Sequence, residues 1–189
     1  MKKTFFMLAI TSLMLSACGS PKQKEIAKAE LPKSGDRIQR GEFLVATLGC
    51  NDCHSPKVMT PRGPVPDPNR LLSGHDSNEI LPEYDSQSVG GYVLFNMNGT
   101  AAIGPWGTSF AGNLTPDATG IGFWSEEQFV KAIKEGKYKG LDNSRPLLPP
   151  MPWEGYSKLP DEDIKAIYAY LKSIKPVKNI VPQAILPSI

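Results

Sequence analysis

The pentapeptide Cys50-Asn51-Asp52-Cys53-His54 puts two thiols three positions apart, with an imidazole directly after the second. This is the attachment pattern of a c-type haem. Two Cys at that spacing reach the two vinyl groups of one porphyrin and form thioethers. The adjacent His54 is then placed under the iron as its proximal ligand. Two other chemistries use such residues. A zinc site needs a fuller ligand set, and outside the motif the chain holds only Cys18 and His75. A redox dithiol of the thioredoxin type belongs to a βαβ pattern, which this sequence does not show. The residues therefore read as one haem c, covalently held by Cys50 and Cys53, with His54 as a metal ligand.

The third cysteine has a different setting. Met1-Lys2-Lys3 is followed by an uncharged run from Thr4 to Met14 and then by Leu15-Ser16-Ala17-Cys18. A basic start, a short apolar run and small residues make a secretory signal, too short to span a bilayer as a mature helix. The ending resembles a bacterial lipoprotein box, which implies cleavage after residue 17 and a lipid on Cys18. Each buried methylene of such chains contributes about 0.8 kcal/mol to membrane attachment. Export and haem attachment support each other, because this haem is attached outside the cytoplasm. Gly19 and Ser20 follow Cys18. An Asp there, which retains lipoproteins at the inner membrane of some bacteria, is absent. That favours the periplasmic side of the outer membrane over the inner membrane.

Composition narrows the class. The chain has 189 residues, 18 Pro, 17 Gly and 40% hydrophobic residues. There is enough apolar matter for a core, which excludes disorder throughout. Frequent Pro and Gly exclude long helices or a continuous sheet. The formal charge is +2, which gives no sign of nucleic-acid binding. Removing residues 1–17 takes away Lys2 and Lys3 and no acid. That leaves 19 of the 21 basic residues against 19 acidic ones.

The expected organisation is a signal peptide over 1–17 and a flexible tether from Cys18 to residue 35. A haem domain follows over 36–181, with a large insertion at about 56–125, and a C-terminal tail over 182–189. The tether assignment rests on a run of Gly, Ser, Pro, Lys, Glu and Ala with few large apolar residues.

Three helices frame the motif. The first spans about Arg37 to Leu48, with Ile38, Gly41, Leu44, Val45 and Leu48 at helical spacing. Asp36 caps it and Gly49 ends it. The second spans Glu126 to Glu135, with Ser125 and Gln128 in a capping-box pattern. Phe129, Val130 and Ile133 form its apolar stripe, and Gly136 stops it. The third spans about Asp161 to Ile174. Ile164, Ile167, Tyr168, Leu171 and Ile174 lie on one face, acids lead the first turn and Pro176 terminates it. Inside the insertion, Tyr92 to Ile103 reads as a β-hairpin around Asn98-Gly99. A structureless loop of that length is unusual in a compact domain, so the insertion is expected to fold over one haem edge.

The chain resembles class I single-haem c-type cytochromes, of the kind found as lipoproteins or as haem domains beside sugar and alcohol dehydrogenases. The resemblance covers about residues 36 to 181. It rests on Cys50-x-x-Cys53-His54, on Asn113-Leu-Thr-Pro-Asp-x-x-Thr-Gly-Ile-Gly122, on Pro149-Pro-Met-Pro-Trp153 and on the last helix. It implies a mainly α, class I cytochrome c fold, with three or more short helices around one haem. The long Pro/Gly-rich insertion with its hairpin is added to that frame. It also implies that the last helix packs across the first, where Gly41 permits close approach near Tyr168.

Three Met outside the signal and His75 compete for the sixth position on the iron. The resembling cytochromes carry their distal Met shortly before the last helix, where Met151 stands in Leu147-Leu-Pro-Pro-Met-Pro-Trp153. Flanking Pro residues leave such a loop little entropy to lose. Met97 beside Asn98-Gly99 is a less rigid mount. Met59 follows the motif too closely to reach the opposite face. His75 offers a bis-His alternative or, as favoured here, a hydrogen bond to a haem propionate or to backbone. Arg70 and Arg145 are candidate propionate partners because Arg binds carboxylates bidentately. Trp106, Trp124 and Trp153 read as packing residues.

Met/His ligation fills both axial sites and suits a one-electron carrier. The alternative is a haem enzyme or gas sensor with an open or exchangeable sixth site. A third reading makes the haem mainly structural. The resemblance implies redox partner proteins: a periplasmic dehydrogenase as donor, and an oxidase or another cytochrome as acceptor. Membrane attachment would be through the lipid on Cys18.

Overall fold

A computed structural model describes residues 36–85 and 87–187. The signal peptide, Cys18 and the tether lie outside the described residues. The first helix, α1 (Arg37–Thr47), starts where Asp36 accepts hydrogen bonds from the backbone N–H groups of Ile38 and Gln39. Leu48 ends it, and Gly49 takes a left-handed φ of 71°. That conformation, easy only for glycine, turns the chain directly into α2 (Cys50–His54). The haem motif is thus a single helical turn set at an angle to α1.

Helix α3 (Glu126–Glu135) has the bounds its sequence predicts. Ser125 Oγ accepts from Gln128 N, and Gly136 stops the helix at φ 63°. The box is half-formed, because the Gln128 amide donates to the Lys139 carbonyl (2.8 Å) and does not turn back to the cap. Phe129 and Ala132 form its buried stripe, while Val130 and Ile133 are half-buried. A one-turn helix not anticipated from the sequence, α4 (Trp153–Tyr156), precedes α5 (Asp161–Ser173).

Helices α1 and α5 cross in contact. A Cβ placed on Gly41 would lie 2.0 Å from the Ala166 carbonyl oxygen and 2.7 Å from Tyr170 Cβ. The close approach is therefore at Ala166 and Tyr170, and not near Tyr168 as the sequence suggested. Tyr168 instead turns to α3, donating its hydroxyl to the Trp124 carbonyl (2.6 Å) and packing its ring against Phe129. Arg40 clamps Asp163 through two 2.9 Å hydrogen bonds across the same crossing. This bidentate geometry fixes orientation as well as charge. The core combines Leu44 and Val45 of α1, Phe129 of α3, and Ile164, Ile167 and Leu171 of α5. Leu72 and Ile121 join it from the long intervening segment.

That segment holds two small antiparallel sheets. β1 (Lys57–Thr60) pairs with β2 (Gly63–Pro66). β2 contains Pro64 and Pro66, which an unpaired edge tolerates. The second sheet orders β3 (Leu94–Phe95), β4 (Ala101–Gly104) and β5 (Gly107–Phe110). The expected hairpin is the β3–β4 pair, with Gly99 at φ 67° in its turn. β5 and the β1–β2 hairpin are additions to the expectation. The described residues thus form five helices and two small sheets, an arrangement compatible with a cytochrome c-like fold.

The C-terminal segment is part of this body. Thr108 and Ile185 exchange two backbone hydrogen bonds of 2.7 and 2.9 Å. Gly107 lies so close that a Cβ there would sit 2.0 Å from the Ile185 carbonyl oxygen. Residues set apart as a tail over 182–189 therefore dock on β5, at least through Ile185. Among the described residues, no helix is long and apolar enough to cross a membrane.

Candidate functional site

The haem motif opens onto a cavity of about 490 Å³. That lies within the ~300–1,000 Å³ range of small-molecule and cofactor sites. Cys50, Cys53 and His54 line it, together with Leu48 at the end of α1, Phe129 and Ile133 of α3, and Ile167 and Leu171 of α5. Ala101 and Ala102 of β4, Ser109 and Phe110 of β5, and the stretch Ile180 to Ala184 complete the wall.

His54 is oriented by backbone. Its Nδ1 lies 2.7 Å from the Gly112 carbonyl oxygen. A carbonyl only accepts, so Nδ1 carries the proton and Nε2 is left as the nitrogen able to bind a metal. Burial lowers the imidazole pKa, against a smaller opposing effect of the Gly112 hydrogen bond. The neutral ring, the form that ligates, is favoured. Burial also pushes the Cys50 thiol up to about 11, and raises Cys53 with a contribution from nearby Asp52. These thiols are poor free nucleophiles, because the thiolate is the reactive form.

Met151 lines the cavity, whereas Met59 and Met97 are 69% and 80% exposed and do not. The loop that carries Met151 is held at three places. Leu147 N donates to the Gly136 carbonyl (2.6 Å) and Tyr138 N to the Arg145 carbonyl (2.9 Å). Ser109 Oγ of β5 donates to the Pro149 carbonyl (2.6 Å). Trp153 stacks over Gly136, where a Cβ would lie 2.4 Å from its indole. Tyr156 lines the cavity and donates to the Leu48 carbonyl (2.7 Å), tying the end of this loop to the end of α1.

The three candidate propionate contacts separate. Arg145 lines the cavity with its guanidinium 4.0 Å from the centre of the Tyr138 ring. It donates to the Pro146 carbonyl, and no ion pair holds it among the described residues. Arg70 is bound to Asp76 at 2.6 Å and does not line the cavity. His75 is fully buried behind the wall. Its Nδ1 is 2.9 Å from Thr100 Oγ1, its ring packs on Phe110, and its Nε2 has no partner. Trp124 lines the cavity, while Trp106 packs on Gly104.

Two further parts of the wall carried no sequence signal. The Gly112 carbonyl is a backbone group, invisible to side-chain motifs. The segment Ile180 to Ala184 is brought in by the Asn113–Thr119 turn. Asn113 Nδ2 donates to the Val177 carbonyl (2.8 Å), and Asn179 N donates to Thr119 Oγ1 (2.9 Å). Asn179 in turn donates to the carbonyls of Ser73 and His75.

No protein-family model matches the chain. It is 30% identical over 185 residues to the fructose dehydrogenase cytochrome subunit of Gluconobacter japonicus, covering 95% of this chain and 30% of that protein. It is 30% identical over 152 residues to the gluconate 2-dehydrogenase cytochrome c subunit of Pantoea cypripedii, covering 79% of this chain and 26% of that protein. With the quinone alcohol dehydrogenase cytochrome c subunit of Gluconobacter oxydans it shares 39% identity over 75 residues, covering 39% of this chain and 15% of that protein. The chain thus spans less than a third of the length of each of these relatives. Cytochrome c relatives imply haem c. The residues at the cavity fit it: two thiols and a half-buried imidazole on one turn, an apolar wall, a thioether and a guanidinium without an ion pair. The chain is similar to the cytochrome c subunits of sugar and quinone-dependent alcohol dehydrogenases.

Proposed function

We propose that this chain is a membrane-anchored, extracytoplasmic one-electron carrier with a single haem c. The observation that carries the reading is that Cys50, Cys53, His54 and Met151 all line one cavity while the other two candidate Met do not. Bound haem supplies one-electron exchange between ferric and ferrous iron. The protein's part would be attachment through Cys50 and Cys53, ligation of the iron by His54 and Met151, and exclusion of water by the apolar wall. Gly112 keeps His54 in the ligating tautomer. Arg145, stacked on Tyr138 at the cavity wall, would be the partner for a haem propionate. Ligation by both residues would leave the iron no vacant site for external ligands, which separates a carrier from a haem enzyme or gas sensor.

Lipidation at Cys18 would tether the domain at the periplasmic face of a membrane. The donor is a dehydrogenase of the kind named in the relatives, and the acceptor an oxidase or another cytochrome. Mature protein from a host that attaches haem should keep its haem after denaturation, and its reduced form should not bind carbon monoxide readily at neutral pH. Met151→Ala should lower the reduction potential and admit carbon monoxide. Ready binding by the unaltered protein would sink the carrier reading. An unchanged spectrum in Met151→Ala would remove Met151 as ligand.

A further inference from the structure

Lys57 is the first residue of β1, three positions after His54. Its ammonium reaches back over the haem turn. Nζ lies 3.0 Å from the Asn51 carbonyl oxygen, 2.9 Å from that of Asp52 and 2.5 Å from that of Ser55. These carbonyls flank Cys53 and His54 on both sides. Three accepting oxygens call for three N–H donors, which only the charged ammonium has. The residue is fixed at its backbone as well, where Lys57 N donates to Asn98 Oδ1 at 3.0 Å. No ion pair within 4 Å neutralises it among the described residues. The site is therefore a rigid positive charge, without a direct ion pair though within the field of the Asp52 carboxylate, at the carbonyl end of the turn that carries Cys53 and His54. Cations are favoured at that end of a helical turn.

We propose that Lys57 is a positioning residue for the haem turn and a fixed cation that raises the reduction potential of the iron. The proposal rests on the reading of Cys50, Cys53 and His54 as the haem site. Oxidation adds one positive charge at the iron. A nearby fixed cation repels the oxidised form more than the reduced form, so it favours reduction. In a partly buried setting the repulsion is screened far less than in water. The three carbonyl contacts also give the effect its constancy, since the ammonium cannot swing away into solvent.

The test is an optically monitored redox titration of the full-length, haem-bearing protein. Lys57→Gln and Lys57→Met remove the charge, Met keeping most of the stem, and Lys57→Arg retains it. Both neutral variants should be easier to oxidise. At the midpoint potential of the unaltered protein, their oxidised-to-reduced ratio should rise at least about threefold. Lys57→Arg should stay near the unaltered value. Equal midpoints in all four proteins would overturn the proposal, as would an Arg variant that falls as far as Gln. Failure of both neutral variants to accumulate haem-bearing protein while Arg does so would also overturn it, because the residue would then serve maturation alone. If the unaltered protein carries no haem, the underlying site reading fails, and that outcome is distinct from the rest.

Discussion

The two His of this chain have different neighbours, which separate a candidate ligand from a buried polar group. His54 donates Nδ1–H to a backbone carbonyl and lines the cavity. His75 is enclosed by Thr100, Phe110 and the 73–75 backbone network, with Nε2 unpaired. Desolvation lowers the His75 pKa, and the charges of Glu79 and Asp76 oppose this less strongly. The folded chain then holds fewer protons than the unfolded chain once the pH falls below the ordinary value of about 6.5. Stability should therefore be full above that value and decline as the pH drops towards the lowered folded value. The slope from this one group is at most about 1.4 kcal/mol per pH unit. Asp76, held low by its hydrogen bond to Arg70, starts to titrate only in more acid solution. Urea unfolding between pH 7 and 5 should show the decline, and His75→Leu should flatten it. An unchanged slope in that variant would assign the acid sensitivity elsewhere.

At the scale of elements, the helix crossing is a tight joint. Leu44, Val45, Ile164 and Leu171 are apolar residues that many pairs of helices could bury. Gly41 is specific, because it lets α1 reach the Ala166 carbonyl itself. Gly41→Ala adds one methyl group into backbone at 2.0 Å, so the helices must part. We expect a loss of about 1–3 kcal/mol, the usual cost of overpacking, read from the denaturation midpoint of the haem-bearing protein. A variant as stable as the original would mean that the crossing is looser than these distances. The helix bounds were legible in sequence because caps and glycine stops are local: Asp36, Ser125, Gly49 and Gly136 act on their own backbone. Which residue of α5 meets Gly41 was not legible. Tyr168 and Ala166 differ by about half a turn, and only the position of α3, which takes Tyr168 against Phe129, chooses between them.

At the scale of the molecule, the cavity is closed by segments far apart in sequence. The C-terminal stretch, read as a tail, contributes wall residues from Ile180 to Ala184 and pairs with β5 through Ile185. A chain lacking residues 182–189 loses two backbone hydrogen bonds at this joint. With each worth about 0.5–1.5 kcal/mol, unfolding should become easier by about 1–3 kcal/mol in urea titrations of the haem-bearing form. No change would make the docking incidental. Polar residues organise this closure. Asn113, Thr115, Thr119 and Asn179 wire the 113–119 turn to the chain after α5 and to the backbone around His75.

The amino-acid sequence alone brought the candidate attachment residues together, since two thiols and an imidazole at fixed spacing lie on one turn whatever surrounds them. It also determined the three main helices, whose periodicity and caps are short-range properties. The tertiary structure decided which distant groups share the cavity: Met151 and Arg145 among their competitors, the Gly112 carbonyl on His54, and the C-terminal stretch on the wall. Those choices depend on contacts between residues far apart in sequence, where no local spacing constrains them. Side-chain type names a candidate, and only packing says which candidates meet.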